Sequence, residues 1–278
     1  MKVGMLTAPF GGEPLANAVN FAAEVGFDCL EVATGPKSNH CDVASGDMEA
    51  ARKVGKLVKD AGLEISSFAY YTNVFGDGPS VREDVVTAFK SVIDAASELG
   101  VGVVCALAGL PVSGAHKHPM IRDWAPKAWG PLAEYAAGRD VKIAFENWFA
   151  TLLQSPAEFA MLFENVPHEA LGLNYDPSHL VHQGCDWLAT VDEFASRIFH
   201  THAKDTEIRQ HVLRRIGNQN SGWWRYVIPG FGLIDWGVYV ATLRRNGINN
   251  VLSIEHEDGA VGREEGFVKG LRHLRQFA

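Results

Sequence analysis

Four residues with side chains suited to metal binding or acid–base chemistry stand at the ends of predicted strands in the second half of the chain. They are Glu146, Asp176, His202 and Glu255. Three carboxylates and an imidazole gathered around one point would repel one another unless a positive charge lay among them. Mainly oxygen ligands with one nitrogen suit Mn²⁺, Mg²⁺ or Co²⁺ better than a structural zinc site, which prefers thiolate and imidazole, and Zn²⁺ stays open as a further option. The pattern therefore predicts one bound divalent cation, with Mn²⁺ favoured.

Eight short apolar segments have the composition of strands and alternate with segments of helical periodicity. The strand segments begin at Lys2, Asp28, Leu63, Val101, Val141, Leu171, Ile198 and Asn250. A typical helical segment covers 47–62, with Asp47 as its N-cap and Gly62 as its stop signal. Repeated strand–helix units without a linker predict an α/β fold, a single (β/α)8 TIM barrel over residues 1–278. A doubly wound sheet is less favoured, because no glycine-rich phosphate loop follows the first strand.

Strand alternation gives an independent prediction of which side chains face the barrel axis. Glu146 has the same parity as Ala144, so the two side chains lie on one face of the strand, and Ile143 and Phe145 lie on the other. Asp176 and Glu255 likewise lie on the face opposite to the apolar residues of their own strands. In a parallel barrel the active site lies at the carboxyl ends of the strands. The polar residues are therefore predicted to converge on the axis at that end. The seventh strand gives the weakest signal, because Thr201 and Ala203 share the outward face with Phe199.

Composition limits the classes of function. The chain of 278 residues carries a formal charge of −8, which disfavours nucleic acid and anionic membranes as partners. The four cysteines lack the spacing of a zinc knuckle or disulfide framework, so a reduced, cytoplasmic location is expected. Neither a signal peptide nor an apolar run of about 20 residues is recognised. A small-molecule partner is therefore expected.

Five ordered motifs carry a resemblance to a known family. They are FEN from Phe145, NYDPSHL from Asn174, HTHAKD from His200, PGFGLIDW from Pro229 and LSIEHED from Leu252. Over essentially the whole chain, this set resembles the xylose-isomerase-like TIM-barrel superfamily, in its branch of sugar phosphate isomerases and epimerases. The resemblance to the ketose 3-epimerases of that branch implies one metal held by the four residues above. It also implies a sugar or keto-sugar substrate and a homo-oligomer.

The same resemblance implies proton abstraction from a carbon next to a carbonyl, through an enediolate. Glu146 and Glu255 would then act as base and acid, each serving also as a metal ligand. His179 would contact substrate oxygens, unless it is a helix-start histidine satisfied by backbone. The HTHAKD motif would place Lys204 and Asp205 around the metal and substrate, where Lys204 either neutralises an enediolate or pairs with Asp205.

Further residues are expected to support or surround the site. His200 is predicted to lie deeper than His202, and Glu31 to be structural or supporting rather than catalytic. Trp148, Trp223 and Trp224 offer flat apolar faces for sugar C–H groups, although a core role for Trp148 stays open. Arg225 is a potential donor to hydroxyls or a phosphate. His116 and His118 are more typical of a solvated loop.

The connection 206–231 after the seventh strand is long for a compact domain. Connections of this length are usually functional, so we expect an active-site lid. Its GWWRY stretch would display Trp223 and Trp224 to water, which is unfavourable without a ligand.

Three other functions share part of this pattern. A lyase or hydratase acting on 3-keto-glycosides would use the same metal and glutamate base, and the long aromatic lid is compatible with such bulkier substrates. An apurinic endonuclease is disfavoured, because the strand ends AYYTN and ALAGL lack the histidines that a three-zinc site needs. A sugar-binding protein without catalysis is disfavoured, because both acid–base glutamates are present.

Overall fold

The computed structural model describes residues 1–43 and 46–278. Within these residues eight parallel strands close into a barrel, in the ring order β1-β10-β7-β6-β5-β4-β3-β2. The barrel strands are β1 (Lys2–Leu6), β2 (Cys29–Ala33), β3 (Glu64–Tyr70), β4 (Val103–Ala106), β5 (Lys142–Glu146), β6 (Leu171–Tyr175), β7 (Ile198–Ala203) and β10 (Val251–Ile254). Each lies within a segment predicted from the sequence. The prediction of a (β/α)8 barrel is therefore confirmed.

Helices follow the strands and cover the outside of the barrel. They are α1 (Leu15–Val25), α2 (Met48–Asp60), α3 (Glu83–Glu98), α4 (Lys117–Pro119), α5 (Ala125–Ala137), α6 (Pro156–Asn165), α7 (Ser178–Val181), α8 (Trp187–Phe194), α9 (Gln210–Ile216), α10 (Trp236–Arg245) and α11 (Arg263–Leu274). A π-helical turn, Met120–Trp124, joins α4 to α5. As predicted, Asp47 caps α2 by accepting a hydrogen bond from the Glu49 N–H. In the described part of the chain, no helix has the length and apolar character needed to cross a membrane.

The two faces of the strands differ as strand parity predicts. Small or aliphatic side chains form a cluster inside the barrel, namely Leu6, Ala69, Cys105 and Ala144. The opposite faces of β5 and β6 contribute Ile143, Phe145 and Leu173 to the larger core beneath the helices. The inward direction predicted for Glu146 follows from its parity with Ala144.

Strand β7 departs from regular alternation through a β-bulge. Leu173 pairs with Ile198, but the next residue, Asn174, pairs with His200, so Phe199 is an extra residue in β7. Phe199 packs against the interior cluster, and its predicted outward direction is therefore wrong. Gly172 makes room for it, since a Cβ there would lie 2.4 Å from the phenyl ring. The one-residue shift moves Phe199 to the same face of β7 as His200.

The connection after β7 contains regular secondary structure, contrary to the loop expected for 206–231. Strands β8 (Asp205–Ile208) and β9 (Trp224–Val227) pair antiparallel, with Asp205 opposite Val227 and Ile208 opposite Trp224. Helix α9 joins the two strands. This hairpin brings Trp224 and the following residues back to the barrel mouth.

Asp205 fixes the segment that follows the hairpin. Its buried carboxylate accepts hydrogen bonds of 2.8 to 3.1 Å from the backbone N–H groups of Thr206, Gly230 and Ile234 and the indole N–H of Trp236. Gly232 passes so close that a Cβ would lie 2.2 Å from Asp205 Oδ1. Asp205 thus stabilises the segment 229–236 and does not face the barrel mouth, where a substrate contact was expected.

Candidate metal centre

The four residues singled out by the sequence converge at the carboxyl end of the barrel. Glu146 ends β5, Asp176 follows β6, His202 lies in β7 and Glu255 follows β10. One potential ligand atom from each lies within 4.8 Å of the other three. His202 Nδ1 is 3.1 Å from Glu255 Oε2, 3.5 Å from Glu146 Oε1 and 3.9 Å from Asp176 Oδ2. These distances would bring a small cation into contact with all four side chains after modest movement.

Asn147 connects the ends of two of these strands. Its amide N–H donates to the Asp176 carbonyl at 2.8 Å, and its Oδ1 accepts from the Asp176 N–H at 2.8 Å. Because side chains alternate along the chain, Glu146 points into the site while Asn147 holds the end of β6. The FEN motif thus contains a positioning residue that the sequence analysis did not identify.

Two buried atoms of this cluster lack hydrogen-bond partners among residues 1–43 and 46–278. Asp176 Oδ1 accepts from the Ser178 N–H at 2.8 Å, but Asp176 Oδ2 and His202 Nδ1 have no partner in this described part of the chain. Leaving buried polar atoms unpaired costs about 1–3 kcal/mol each. Both atoms face the centre of the cluster. The donor set therefore fits a divalent cation, which would satisfy both atoms and offset the carboxylate charges.

Glu31 orients the His202 ring from below. His202 Nε2 donates to Glu31 Oε2 at 3.0 Å, and Tyr71 and Ser253 donate to the same carboxylate at 2.6 and 2.8 Å. Burial raises the pKa of Glu31, but the adjacent His202 and His200 rings and these hydrogen bonds lower it further, to about 2. In a neutral ring with its proton on Nε2, Nδ1 carries the lone pair that a cation would bind. The supporting position expected for Glu31 is the one it occupies.

His200 lies below His202, as the sequence indicated. Its Nδ1 is 2.8 Å from Asn174 Oδ1, and its Nε2 is 3.2 Å from Ser66 Oγ. Burial lowers the pKa of His200 to about 4, so its ring is neutral near pH 7. Its contacts are therefore with the barrel interior rather than with the carboxylate cluster.

Lys204 places a fixed positive charge beside the carboxylates. Its Nζ donates to Glu255 Oε2 at 2.6 Å and to Glu257 Oε2 at 2.9 Å, and lies 3.3 Å from Asp176 Oδ2. Burial lowers the pKa of Lys204, but these carboxylates raise it well above its usual value. The alternative of a Lys204–Asp205 pair is wrong, because Asp205 binds the loop described above. Glu257 was missed, although it has the same strand parity as Glu255.

His179 also points into the site. It lies in α7, with Nε2 3.3 Å from Glu146 Oε1 and 3.4 Å from Asp176 Oδ2. Its Nδ1 is hydrogen-bonded to the Tyr226 hydroxyl at 2.5 Å. The ring is thus held by side chains at the site, and not by backbone as a helix-start histidine would be. Tyr226 was not predicted, although it closes the GWWRY stretch.

A cavity of about 460 Å³ opens above the cluster. Glu146, His179, Lys204 and Glu255 contribute its polar surface. Its walls are mainly aromatic or apolar, formed by Tyr71, Leu107, Trp148, Phe149, Trp224 and Tyr226. A volume in this range, with convergent polar groups on one side, is typical of a small-molecule site. Trp148 and Trp224 both line it, as do Tyr71, Leu107 and Phe149, which the sequence analysis did not identify.

Several predicted contacts lie elsewhere. Trp223 is buried and borders a neighbouring cleft, so the expectation that both tryptophans are displayed to water is wrong. Arg225 pairs with Glu207 at 2.5 Å and with Asp258 at 2.6 Å and does not line the cavity. His118 lies on the surface, 3.2 Å from Glu158.

Comparison with known proteins identifies the family of this chain. Residues 19–277 match the family described as Xylose isomerase-like TIM barrel. The chain belongs to this family. The inosose dehydratase of Geobacillus thermodenitrificans is 24% identical over 85% of this chain and 84% of its own.

Two crystal structures have the same fold as this chain. The IOLI protein with a bound zinc atom has a TM-score of 0.78 at 19% identity and covers 100% of this chain and 99% of its own. The D-psicose 3-epimerase with D-tagatose from Clostridium cellulolyticum H10 has a TM-score of 0.73 at 16% identity and covers 99% and 92%. At these identities the likeness establishes the fold alone. The proteins that this chain resembles in sequence or fold thus include an inosose dehydratase, a protein with a bound zinc atom and a D-psicose 3-epimerase.

Proposed function

We propose that this protein is a divalent-metal-dependent sugar isomerase or epimerase, which removes a proton from a carbon next to a carbonyl. The observation that carries the proposal is the pair of unpartnered buried atoms, Asp176 Oδ2 and His202 Nδ1, between the carboxylates of Glu146 and Glu255. Glu146, Asp176, His202 and Glu255 would hold the metal. When bound, it would supply a Lewis acid that stabilises negative charge on substrate oxygen.

Glu146 and Glu255 are the proposed base and acid. Burial raises the pKa of Glu255, but Lys204 and His202 lower it to about 2. Burial likewise opposes ionisation of Glu146, but the adjacent His179, His202 and Lys204 outweigh it and lower the pKa of Glu146 below its usual value. Both side chains are thus carboxylates near pH 7, and both line the cavity. One would take a proton from carbon, and the other would gain a proton from solvent water and then donate it to carbon.

Lys204 and His179 are proposed to bind substrate oxygens. The Lys204 ammonium is fixed within the carboxylate cluster, where it would stabilise the charge of an enediolate. His179 is held by Tyr226 and presents Nε2 to the same region. Trp148 and Trp224 would contact the C–H face of the sugar.

A dehydratase or lyase is the second candidate, favoured by the similarity to inosose dehydratase. The same carboxylate would remove the proton next to the carbonyl. The C–O bond at the neighbouring carbon would then break, and the departing group would take a proton from a carboxylic acid. The two reactions share their first step and differ in whether the proton returns to carbon.

Product analysis distinguishes these candidates. Metal-loaded enzyme would be incubated with free ketoses, ketose phosphates, inososes and 3-keto-glycosides, and the products followed by ¹³C and ¹H NMR. A new stereoisomer or ketose–aldose pair supports the isomerase or epimerase. Loss of water or of an aglycone supports the second candidate. The four-ligand set favours Mn²⁺, and elemental analysis after purification with equal Mn²⁺, Mg²⁺, Co²⁺ and Zn²⁺ would test that choice.

A further inference from the structure

A second cleft, of about 750 Å³, adjoins the catalytic cavity. Phe149 and Trp224 line both spaces, and therefore form a shared wall. The rings of this wall meet edge to face, with centroids 5.6 Å apart. On the cleft side, His182 stacks on the Trp224 indole with centroids 3.9 Å apart and planes 2° apart. The cavity and the cleft are thus neighbouring spaces that share an aromatic boundary.

The cleft is lined by amides rather than charges. Its amide side chains are Gln154, Gln183, Gln210, Asn218 and Gln219. Although 21% of the chain is charged, no Asp, Glu, Lys or Arg is among the described residues that line it. Burial lowers the pKa of His182 to about 4, so this ring is neutral too. The catalytic cavity, in contrast, is bordered by Glu146, Lys204, Glu255 and Glu257.

Several of these amides retain hydrogen-bonding capacity. Gln154 Oε1 accepts from Lys117 Nζ at 2.7 Å, and Gln183 Nε2 donates to the His179 carbonyl at 2.6 Å. Among the described residues, neither the Gln154 N–H₂ group nor the Gln183 side-chain oxygen has a partner. The side chain of Gln210 likewise forms no hydrogen bond there. Such amides offer both donors and acceptors, which is what the hydroxyls of a sugar ring require.

We propose that this cleft binds a second, neutral sugar ring, so that the substrate is a glycoside rather than a free or phosphorylated monosaccharide. The assignment of the reacting ring to the catalytic cavity rests on the proposed function. The ring in the cleft would lie against Trp223, or against the His182 ring that covers the cleft-side face of Trp224, and would bind the amides through its hydroxyls. A phosphate is disfavoured because, within the described part of the chain, no cationic side chain that would pair with it lines the cleft.

The test measures binding without requiring turnover. Calorimetry on the metal-loaded protein would compare the disaccharides cellobiose and maltose with glucose and glucose 6-phosphate. We expect at least one disaccharide to bind about tenfold more tightly than either monosaccharide, which corresponds to about 1.4 kcal/mol. Equal affinity for glucose and both disaccharides, or tighter binding of glucose 6-phosphate, would overturn the proposal.

Matched variants of α9 locate the second ring. Leu213 lines the cleft, whereas the adjacent Arg214 is exposed and does not. Leu213→Trp should fill the cleft and abolish the preference for the disaccharide, while Arg214→Trp should retain it. Gln210→Ala, at an exposed position, should reduce the preference without disturbing the fold. A preference retained in both Leu213→Trp and Gln210→Ala would contradict the assignment.

This result is separable from the chemistry proposed for the first ring. If disaccharides bind as expected but no keto-sugar loses its C–H signal in D₂O, the proposed function fails and the cleft assignment stands. If single-ring keto-sugars exchange and a second ring changes neither affinity nor kcat/KM, the proposed function stands and the cleft assignment fails.

Discussion

The Nε2 atom of His202 lies 3.0 Å from Oε2 of Glu31, a carboxylate that is completely buried beneath the candidate metal centre. This contact directs the opposite nitrogen, Nδ1, towards the other three potential ligands. A carboxylate behind a metal-binding histidine fixes its tautomer and raises its basicity. The cluster is thus organised by a residue that would not itself touch the cation.

Removing the charge of Glu31 should weaken metal binding while leaving all four potential ligands in place. Glu31→Gln is expected to lower metal affinity by about 10- to 100-fold. Competition with a fluorescent chelator would measure the affinity. Glu64→Gln is the control, because Glu64 begins the neighbouring strand β3 and is exposed. Equal affinities of the wild type and Glu31→Gln would show that Glu31 does not support the site.

Metal affinity should increase with pH. Burial lowers the pKa of His202, but Glu31 and Glu255 raise it well above its usual value, so the metal-free ring is protonated near neutrality. A cation must displace the Nδ1 proton, and apparent affinity should therefore rise about tenfold per pH unit below that pKa. Calorimetry in buffers of different ionisation enthalpy would report the proton released. Binding without proton release between pH 6 and 8 would contradict this account.

Replacing either proposed acid–base residue should abolish most turnover. Glu146→Gln and Glu255→Gln are each expected to lower kcat by at least about 10²–10⁴-fold, the usual contribution of general acid–base catalysis. Since both residues are also proposed ligands, activity would be measured at saturating metal and normalised to metal content. The exposed Glu265→Gln is the control. Normal kcat in a metal-loaded variant would remove that residue from the mechanism.

Tyr226 should act through His179. Tyr226→Phe removes the hydroxyl that holds His179 Nδ1 at 2.5 Å but keeps the ring that lines the cavity. We expect kcat to fall by about tenfold, comparable to the loss of one hydrogen bond to a charged or reacting group. Metal content should stay constant, because Tyr226 contacts none of the four ligands. A changed metal content with unchanged kcat per bound metal would assign Tyr226 a structural role instead.

Asp205 should contribute to stability rather than to substrate binding. Asp205→Asn places an N–H₂ group among N–H donors in a buried site and is expected to lower the free energy of unfolding by about 2–4 kcal/mol. Chemical denaturation would measure this change. Asp235→Asn is the matched control, because Asp235 caps α10 from the same segment with an exposed side chain. Similar free energies for the two variants would refute the stabilising role of Asp205.

The barrel and its four convergent polar residues could be predicted because they follow from local alternation. Each of Glu146, Asp176 and Glu255 stands at the end of a short apolar segment, opposite in parity to residues of the outer core. The bulge in β7 could not be predicted from local alternation. It depends on Phe199 entering the space left by Gly172 on the neighbouring strand, which is a contact between distant residues.

The walls of the site were less accessible to sequence reasoning. Tyr71, Phe149 and Tyr226 enter the cavity from different strand ends, and nothing in their local pattern distinguishes them from core aromatics. Asp205 and Arg225 lie next to residues that do face the cavity. The Asp205 carboxylate is instead hydrogen-bonded to backbone N–H groups, and the Arg225 guanidinium is paired with acidic side chains. Their partners are set by the path of the chain after β9, which periodicity does not determine.

The most direct test of the central claim is metal-dependent exchange of a substrate C–H for deuterium. Proton NMR in D₂O would follow a panel of ketoses, ketose phosphates, inososes and 3-keto-glycosides with metal-loaded protein, metal-stripped protein and the His202→Ala variant. We expect the ¹H signal of the C–H next to the carbonyl to disappear in at least one compound, and only with the metal-loaded wild type. Equal exchange by metal-stripped protein, or none across the panel with metal-loaded wild type, would contradict it.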